Sequence, residues 1–365
     1  MYYKEDWGQA KRRFEALWNM EVIDRCCIAV TAPRKGSEPF FAEYSKGVAA
    51  KKIIPSGMLT SRFMNDPESV VREKTILMEH TFYGGEAFPQ IWMNYGPVGH
   101  AAYFDAPYNV GETTTWFEPL IEDITKSCLN FNKENQILKW QIEAARVFAK
   151  EGAGRFIVST PDNSGSMDAL AALNETENLL VNMITEPEAV KRELKKVIEA
   201  WKYAGDRLYE ITKSCNDGGA SIGWLSIWAP GKFSQLQSDM SVMLSNSMFQ
   251  DFVMPELMEC SQHQEYNLYH MDGQDQLRHL DDILSIPQIG MVQWVSVVGQ
   301  PSYMEFIPTF RKIQSRGKGL LINDVLPADV EKLLDCLKPE GLLIMTSTDT
   351  QEEAESLLKM AERHK

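Results

Sequence analysis

The sequence has no basic cluster. Its 37 lysines and arginines are outnumbered by 51 aspartates and glutamates, for a formal net charge of −14 over 365 residues. A surface that follows phosphates needs positive charge gathered on one face, so nucleic acid is not an expected partner. Cysteine is sparse, with six scattered residues and no C-x-x-C pair, which excludes a disulfide framework and suits a reducing cytoplasm. Four of them fall on helical stretches or their ends, where a thiol nucleophile is not expected. No apolar run approaches the roughly 20 residues of a membrane span. The opening Met1-Tyr-Tyr-Lys-Glu-Asp-Trp7 lacks the basic-then-apolar plan of a signal peptide. A cytoplasmic location is expected, with no membrane partner. There is no G-x-S-x-G elbow, Walker loop or G-x-G-x-x-G stretch, so serine hydrolysis and nucleotide handling have no support.

What is present is alternation. Hydrophobic residues at 44% and charged residues at 24% describe a globular chain able to bury a sizeable core. Helical spacing over residues 5–20 is followed by an apolar strand near residue 27. The pattern then recurs, with strands expected near residues 90, 157, 224, 269, 293, 321 and 344 and helices between them. Two stretches interrupt it. Residues 33–60, rich in Gly, Pro, Ser and Lys, and residues 97–119 read as long irregular loops folding near the ligand site. About eight strand–helix units predict a single α/β domain over residues 1–365, a (β/α)8 TIM barrel, with a doubly wound sheet as the alternative. In such a barrel ligands sit at the carboxyl ends of the strands. Those ends supply Asn94, Asp162, Trp228, His270, Asp272, Gln293, Asn323 and Thr346.

The stretch Tyr266-Asn-Leu-Tyr-His-Met-Asp-Gly273 is the best site candidate. Strand alternation puts His270 and Asp272 on one face, where they can share a metal ion or a proton. Zinc takes nitrogen and oxygen ligands but needs about three from the protein; the expected third is Asp239 or Glu305. Without metal the pair reads as a histidine acid/base beside a carboxylate, and as a strand end it reads as a core histidine with a turn-starting Asp before Gly273. Asp162 and Asn163, at a strand-to-helix corner, serve either as ligand contacts or as helix caps. Trp92, Trp116, Trp224, Trp228 and Trp294 read as ligand walls or as core.

Several stretches together resemble the uroporphyrinogen decarboxylase-like superfamily, which includes cobalamin-dependent methyltransferases. They are Ser238-Asp-Met-Ser-Val-Met-Leu-Ser245, Phe249-Gln-Asp-Phe-Val-Met-Pro-Glu256, Tyr269-His-Met-Asp-Gly273 and Gly317-Lys318. Asp162-Asn-Ser-Gly-Ser-Met-Asp168, Trp116-Phe-Glu-Pro119 and Gln293-Trp294 are similar to its trimethylamine corrinoid protein-like branch. The resemblance implies a (β/α)8 barrel. It also implies a methyltransferase moving a methyl group between a small substrate and a corrinoid protein that carries the cobalamin. His270 and Asp272 are then the catalytic and metal-ligating candidates. Asn94, Asp162, Asn163, Trp228, Asp239, Gln293, Trp294 and Asn323 are the substrate-binding ones.

Two departures narrow this. The decarboxylases' Arg-Gln-Ala-Gly-Arg segment has no counterpart in residues 1–52, which disfavours uroporphyrinogen as substrate. The thiol-methylating members hold zinc with His-x-Cys and a later Cys. Here Asp272 replaces the first Cys and the last strand offers Thr346-Ser347-Thr348, so only His270 carries over. The alternatives are a decarboxylase of the porphyrinogen type and a non-catalytic corrinoid- or tetrapyrrole-binding protein.

Overall fold

The computed structural model describes residues 1–51, 53, 60–112, 114–163 and 165–364. Residues 52 and 54–59 of the first long loop, and Ser164 of the strand-to-helix corner, lie outside the described residues. Among the described residues no helix is long and apolar enough to cross a membrane.

The fold is mixed α/β. Its strands are β1 (Cys27–Pro33), β2 (Thr81–Gly85), β3 (Gln90–Trp92), β4 (Tyr108–Val110), β5 (Thr115–Phe117) and β6 (Ile157–Thr160), then β7 (Ser221–Ile222), β8 (Phe233–Leu236), β9 (Tyr266–Met271), β10 (Met291–Trp294), β11 (Gly319–Ile322) and β12 (Leu342–Ser347). Seven form one sheet in the order β2-β1-β12-β11-β10-β9-β8. All its neighbours are parallel except β2, which runs antiparallel to β1. A second parallel sheet has the order β3-β6-β7, and β4 and β5 make a hairpin. The segment after β2 links the sheets: the Glu86 N–H donates to Ile28 C=O, and the Ile157 N–H to Pro89 C=O.

The strands are short apolar runs because both faces are covered. One face carries Cys27, Ile157, Phe233, Leu268, Met291, Leu321 and Leu343, packed with Trp7, Phe14 and Leu17 of the first helix, α1 (Trp7–Trp18). The other face, with Tyr269, Val292, Leu320, Ile322 and Ile344, joins the core formed with the helices. The 26-residue helix Pro187–Thr212 shows the same logic: Pro187 sits where an N–H has no helical partner, and Val190, Leu194, Val197, Trp201, Ala204 and Leu208 form its buried stripe.

Three expectations need correction. The strand expected near residue 224 is two strands, β7 and β8, because Gly223 and Ser226 take positive φ (54° and 50°) and turn the chain away. Residues 33–60 are not an irregular loop throughout: α2 (Glu38–Ala49) begins there, with Pro39 in its first turn and Phe40, Phe41, Tyr44 and Val48 at helical spacing. Residues 97–119 contain a 3-10 turn, Gly99–Phe104, and the β4–β5 hairpin. In addition, the helix expected over residues 248–265 has a π turn at Phe249–Val253. Pro255 has no N–H to donate to the Asp251 carbonyl, which loosens the helix there.

Candidate functional site

At the carboxyl ends of β9, β10 and β11 the face that packs with α1 changes from apolar to polar within two residues. Leu268 is followed on that face by His270, Met291 by Gln293, and Leu321 by Asn323, as the period of a strand requires. The parallel register pairs His270 with Gln293. His270, only 7% exposed, places Nδ1 2.5 Å from Gln293 Oε1. Gln293 Nε2 donates to the Trp294 carbonyl and to Asn323 Oδ1, both at 3.0 Å. Asn323 Nδ2 in turn faces Met345 Sδ at 3.4 Å. Since the Gln293 amide nitrogen is engaged twice as a donor, its oxygen is the acceptor, and His270 must donate from Nδ1. The neutral imidazole therefore presents a lone pair at Nε2. Trp224 meets the His270 ring edge-to-face with centroids 5.4 Å apart. With Thr31, Asn323, Met345 and Ser347, Trp224 also lines a cleft of about 520 Å³.

Carboxylates crowd the neighbouring strand ends. Asp239, at the start of the turn Asp239–Met243, has its carboxyl pushed up to about 8, first by burial and then by the charges of Asp168, Asp272 and Asp162. Asp168 is raised by burial, although its oxygens accept the N–H groups of Met240 and Asp239 at 2.9 Å, and His270 pulls it down. Gln237 Nε2 donates to Asp239 Oδ2 at 3.0 Å. Behind them buried Glu256 accepts from the N–H groups of Ser166 and Met167 at a helix start; burial, then Asp168, pushes its carboxyl up to about 8.

The structure therefore brings together His270, Gln293 and Asn323, and electrostatically couples Asp162, Asp239 and Asp272. Other expected residues lie elsewhere. Trp228 packs against Trp7 and Phe14 of α1 and donates to the Asn216 carbonyl at 3.0 Å, in the apolar core. Trp294 points to the opposite face from Gln293 and packs on Phe306 and Phe310. Asn94 accepts the Gly96 N–H at 3.0 Å and shapes the turn after β3. Asn163 donates to the Tyr103 hydroxyl at 2.9 Å, beneath the 3-10 turn. Thr346 donates to the Val325 carbonyl at 2.6 Å, and Glu305 is exposed. Sequence reasoning missed Gln235 and Gln237, because β8 was not recognised. It also missed Gln90, Ser159 and Ser221, whose side chains are hydrogen-bonded across β3, β6 and β7; alternation along those strands was their only signal.

Among the described residues no three His, Cys, Asp or Glu side chains are grouped to hold a metal ion, whereas a zinc site needs about three protein ligands; the Gln293 contact occupies only Nδ1 of His270.

No protein-family model matches the sequence, and no curated protein matches it. In fold it is similar to a solved methyltransferase from Methanosarcina mazei, with a TM-score of 0.62 at 12% identity, covering 97% of this chain and 98% of that one. At that identity the likeness is one of fold.

Proposed function

We propose that this protein is a corrinoid-dependent methyltransferase, moving a methyl group between a small substrate and the cobalamin of a partner protein, and that the parallel strands of its two larger sheets together form a (β/α)8 barrel. The reading is carried by two proton-handling groups that lie at the ends of neighbouring parallel strands, β9 and β8: His270 with an open Nε2 and Asp239 holding its proton near neutrality. The likeness in fold to a protein named a methyltransferase, over nearly all of both chains, supports it.

A methyl group leaves an alcohol oxygen or an amine nitrogen readily when the departing atom is protonated, so that it leaves as a weaker base. Asp239 can supply or hold that proton, and His270 can accept one from a protonated acceptor. The corrinoid, when presented, supplies the cobalt that gives or takes the methyl group. A cleft of about 520 Å³ suits a small molecule, so the corrin ring belongs outside it, carried by the partner. Exposed Met243, Leu326 and Val298, all on segments that follow strand ends, offer such a partner apolar surface.

The test follows a labelled methyl group from methanol, methylated amines and methoxybenzoate into free reduced cobalamin, and from labelled methylcobalamin into thiols. Transfer by the wild type that falls roughly 100-fold or more in His270→Ala supports the reading. No transfer in either direction rejects it, and release of carbon dioxide from uroporphyrinogen selects the decarboxylase instead.

A further inference from the structure

We infer that a cavity beneath the helix Pro187–Thr212, at the seam between β7 and β8, holds internal water, and that this water sets the direction of the amide chain running from Gln235 through Gln237 to Asp239. The end of that chain bears on the methyl-transfer reading; the water and the direction do not depend on it.

β7 and β8 follow one another in the chain but belong to different sheets, and no ladder joins them among the described residues. The helix Pro187–Thr212 covers this seam with Trp201, Gly205, Leu208 and Tyr209, which recur along one face at helical spacing. Three of the four are large. Gly205 is the exception: a Cβ built on it would meet nothing within 4 Å, although glycine inside a helix is less stable than alanine. Beneath this face lies a cavity of about 50 Å³, room for roughly three water molecules.

Three amides on the wall of the cavity, Asn163, Gln235 and Gln264, have a side-chain oxygen without a partner among the described residues. Gln235 is only 1% exposed and Asn163 8%. Their nitrogens are already used: Gln235 Nε2 donates to Gln237 Oε1 at 2.6 Å, and Asn163 Nδ2 to the Tyr103 hydroxyl at 2.9 Å. Lys232, also on the wall, is turned to Asp206 and to the His263 carbonyl. The oxygens therefore call for a donor from the cavity, because a buried acceptor left unpaired is costly. An anion would set acceptor against acceptor, a metal ion would sit beside the Lys232 ammonium, and an apolar guest would leave the oxygens unpaired. Water is neutral, small enough and a double donor.

A glutamine amide has nearly the same shape in either direction, so its hydrogen bonds decide which end goes where. A water donating to Gln235 Oε1 holds that oxygen toward the cavity and the nitrogen toward Gln237. Gln237 then presents its own nitrogen to Asp239 Oδ2, 3.0 Å away. Reversal of Gln235 would turn the Gln237 oxygen on Asp239 instead.

A neutron crystal structure of the wild-type protein in heavy water tests both parts, because it locates deuterium on water and on amide nitrogen. Water is expected in the cavity, one molecule donating to Gln235 Oε1, with the deuterated Gln235 Nε2 toward Gln237. A dry cavity overturns the inference, as does xenon taking the same space under pressure, and so does a Gln235 nitrogen turned to the cavity. Gly205→Leu should fill the space from the helix side and expel the water, leaving the Gln235 amide in both directions. Loss of the water with the amide still in one direction would remove the orienting role. Circular dichroism reports folding, and the wild-type structure decides alone if Gly205→Leu does not fold. None of these measurements involves methyl transfer, so failure of the cavity and failure of the reaction are told apart.

Discussion

Asp239 keeps its proton up to about pH 8 in the fold, whereas in the unfolded chain it ionises near the ordinary 3.8. Between those values the folded state binds more protons, so the stability due to this group falls as pH rises from about 4 to about 8 and is flat above. Glu256, raised to about 8 by burial and Asp168, acts in the same direction. Urea melts at pH 5 and pH 8 should show the loss, and Asp239→Asn should make it smaller; an unchanged difference would remove Asp239 as its source. Gln293→Leu should leave the fold intact, lower turnover roughly tenfold or more, and release the His270 ring from a single tautomer, which 15N NMR reads directly. At this scale the sequence was informative where spacing sufficed. Leu268 and His270 share a face because they are two apart on β9, whereas Asp272 lies past the end of that strand at Met271. That Gln293 meets His270 required the β9–β10 register, and the size of Trp228 and Trp294 says nothing about which face they take. Gln235 was hidden because its strand was.

Long elements were legible for the same reason that they are stable: a stripe such as Val190, Leu194, Val197 and Trp201 is both the signal and the packing. The two residues of β7 and the three each of β4 and β5 are too few for alternation to register. Placement of α1 depends on charge as well as on its aromatic stripe. Glu86, fully buried, accepts from Arg25 Nη1 at 2.7 Å, from Arg13 Nη1 at 3.3 Å and from the Ile28 N–H at 2.7 Å, and so ties α1 to β1. Glu86→Ala would leave two guanidinium groups without this partner, one of them deeply buried, and is expected to cost about 3–5 kcal/mol. Chemical denaturation measures it, and a loss below 1 kcal/mol would contradict the anchor. By contrast α2 has no fully buried residue. Its amides should exchange with solvent well before those of the helix Pro187–Thr212 in a hydrogen-exchange time course.

For the molecule as a whole, the donor set bears on metal dependence. With no group of three ligating side chains among the described residues, overnight treatment with EDTA should leave methyl transfer unchanged. Activity lost to the chelator and restored by stoichiometric zinc would show that the ligand set is completed in another way. The parallel pairing of β1 with β12, Cys27 opposite Leu343 through Thr31 opposite Ser347, has a further consequence, for synthesis. β1 leaves the ribosome roughly 300 residues before β12, the strand with which it pairs. At roughly 5–20 residues per second that interval is on the order of tens of seconds, during which one edge of β1 lacks its native partner. α1 waits as well, because the Trp18 indole donates to the carbonyl of Trp228. Chains stalled before residue 342 should therefore be held by chaperones or cleaved near β1, and removal of β12 should cost the cell the whole protein.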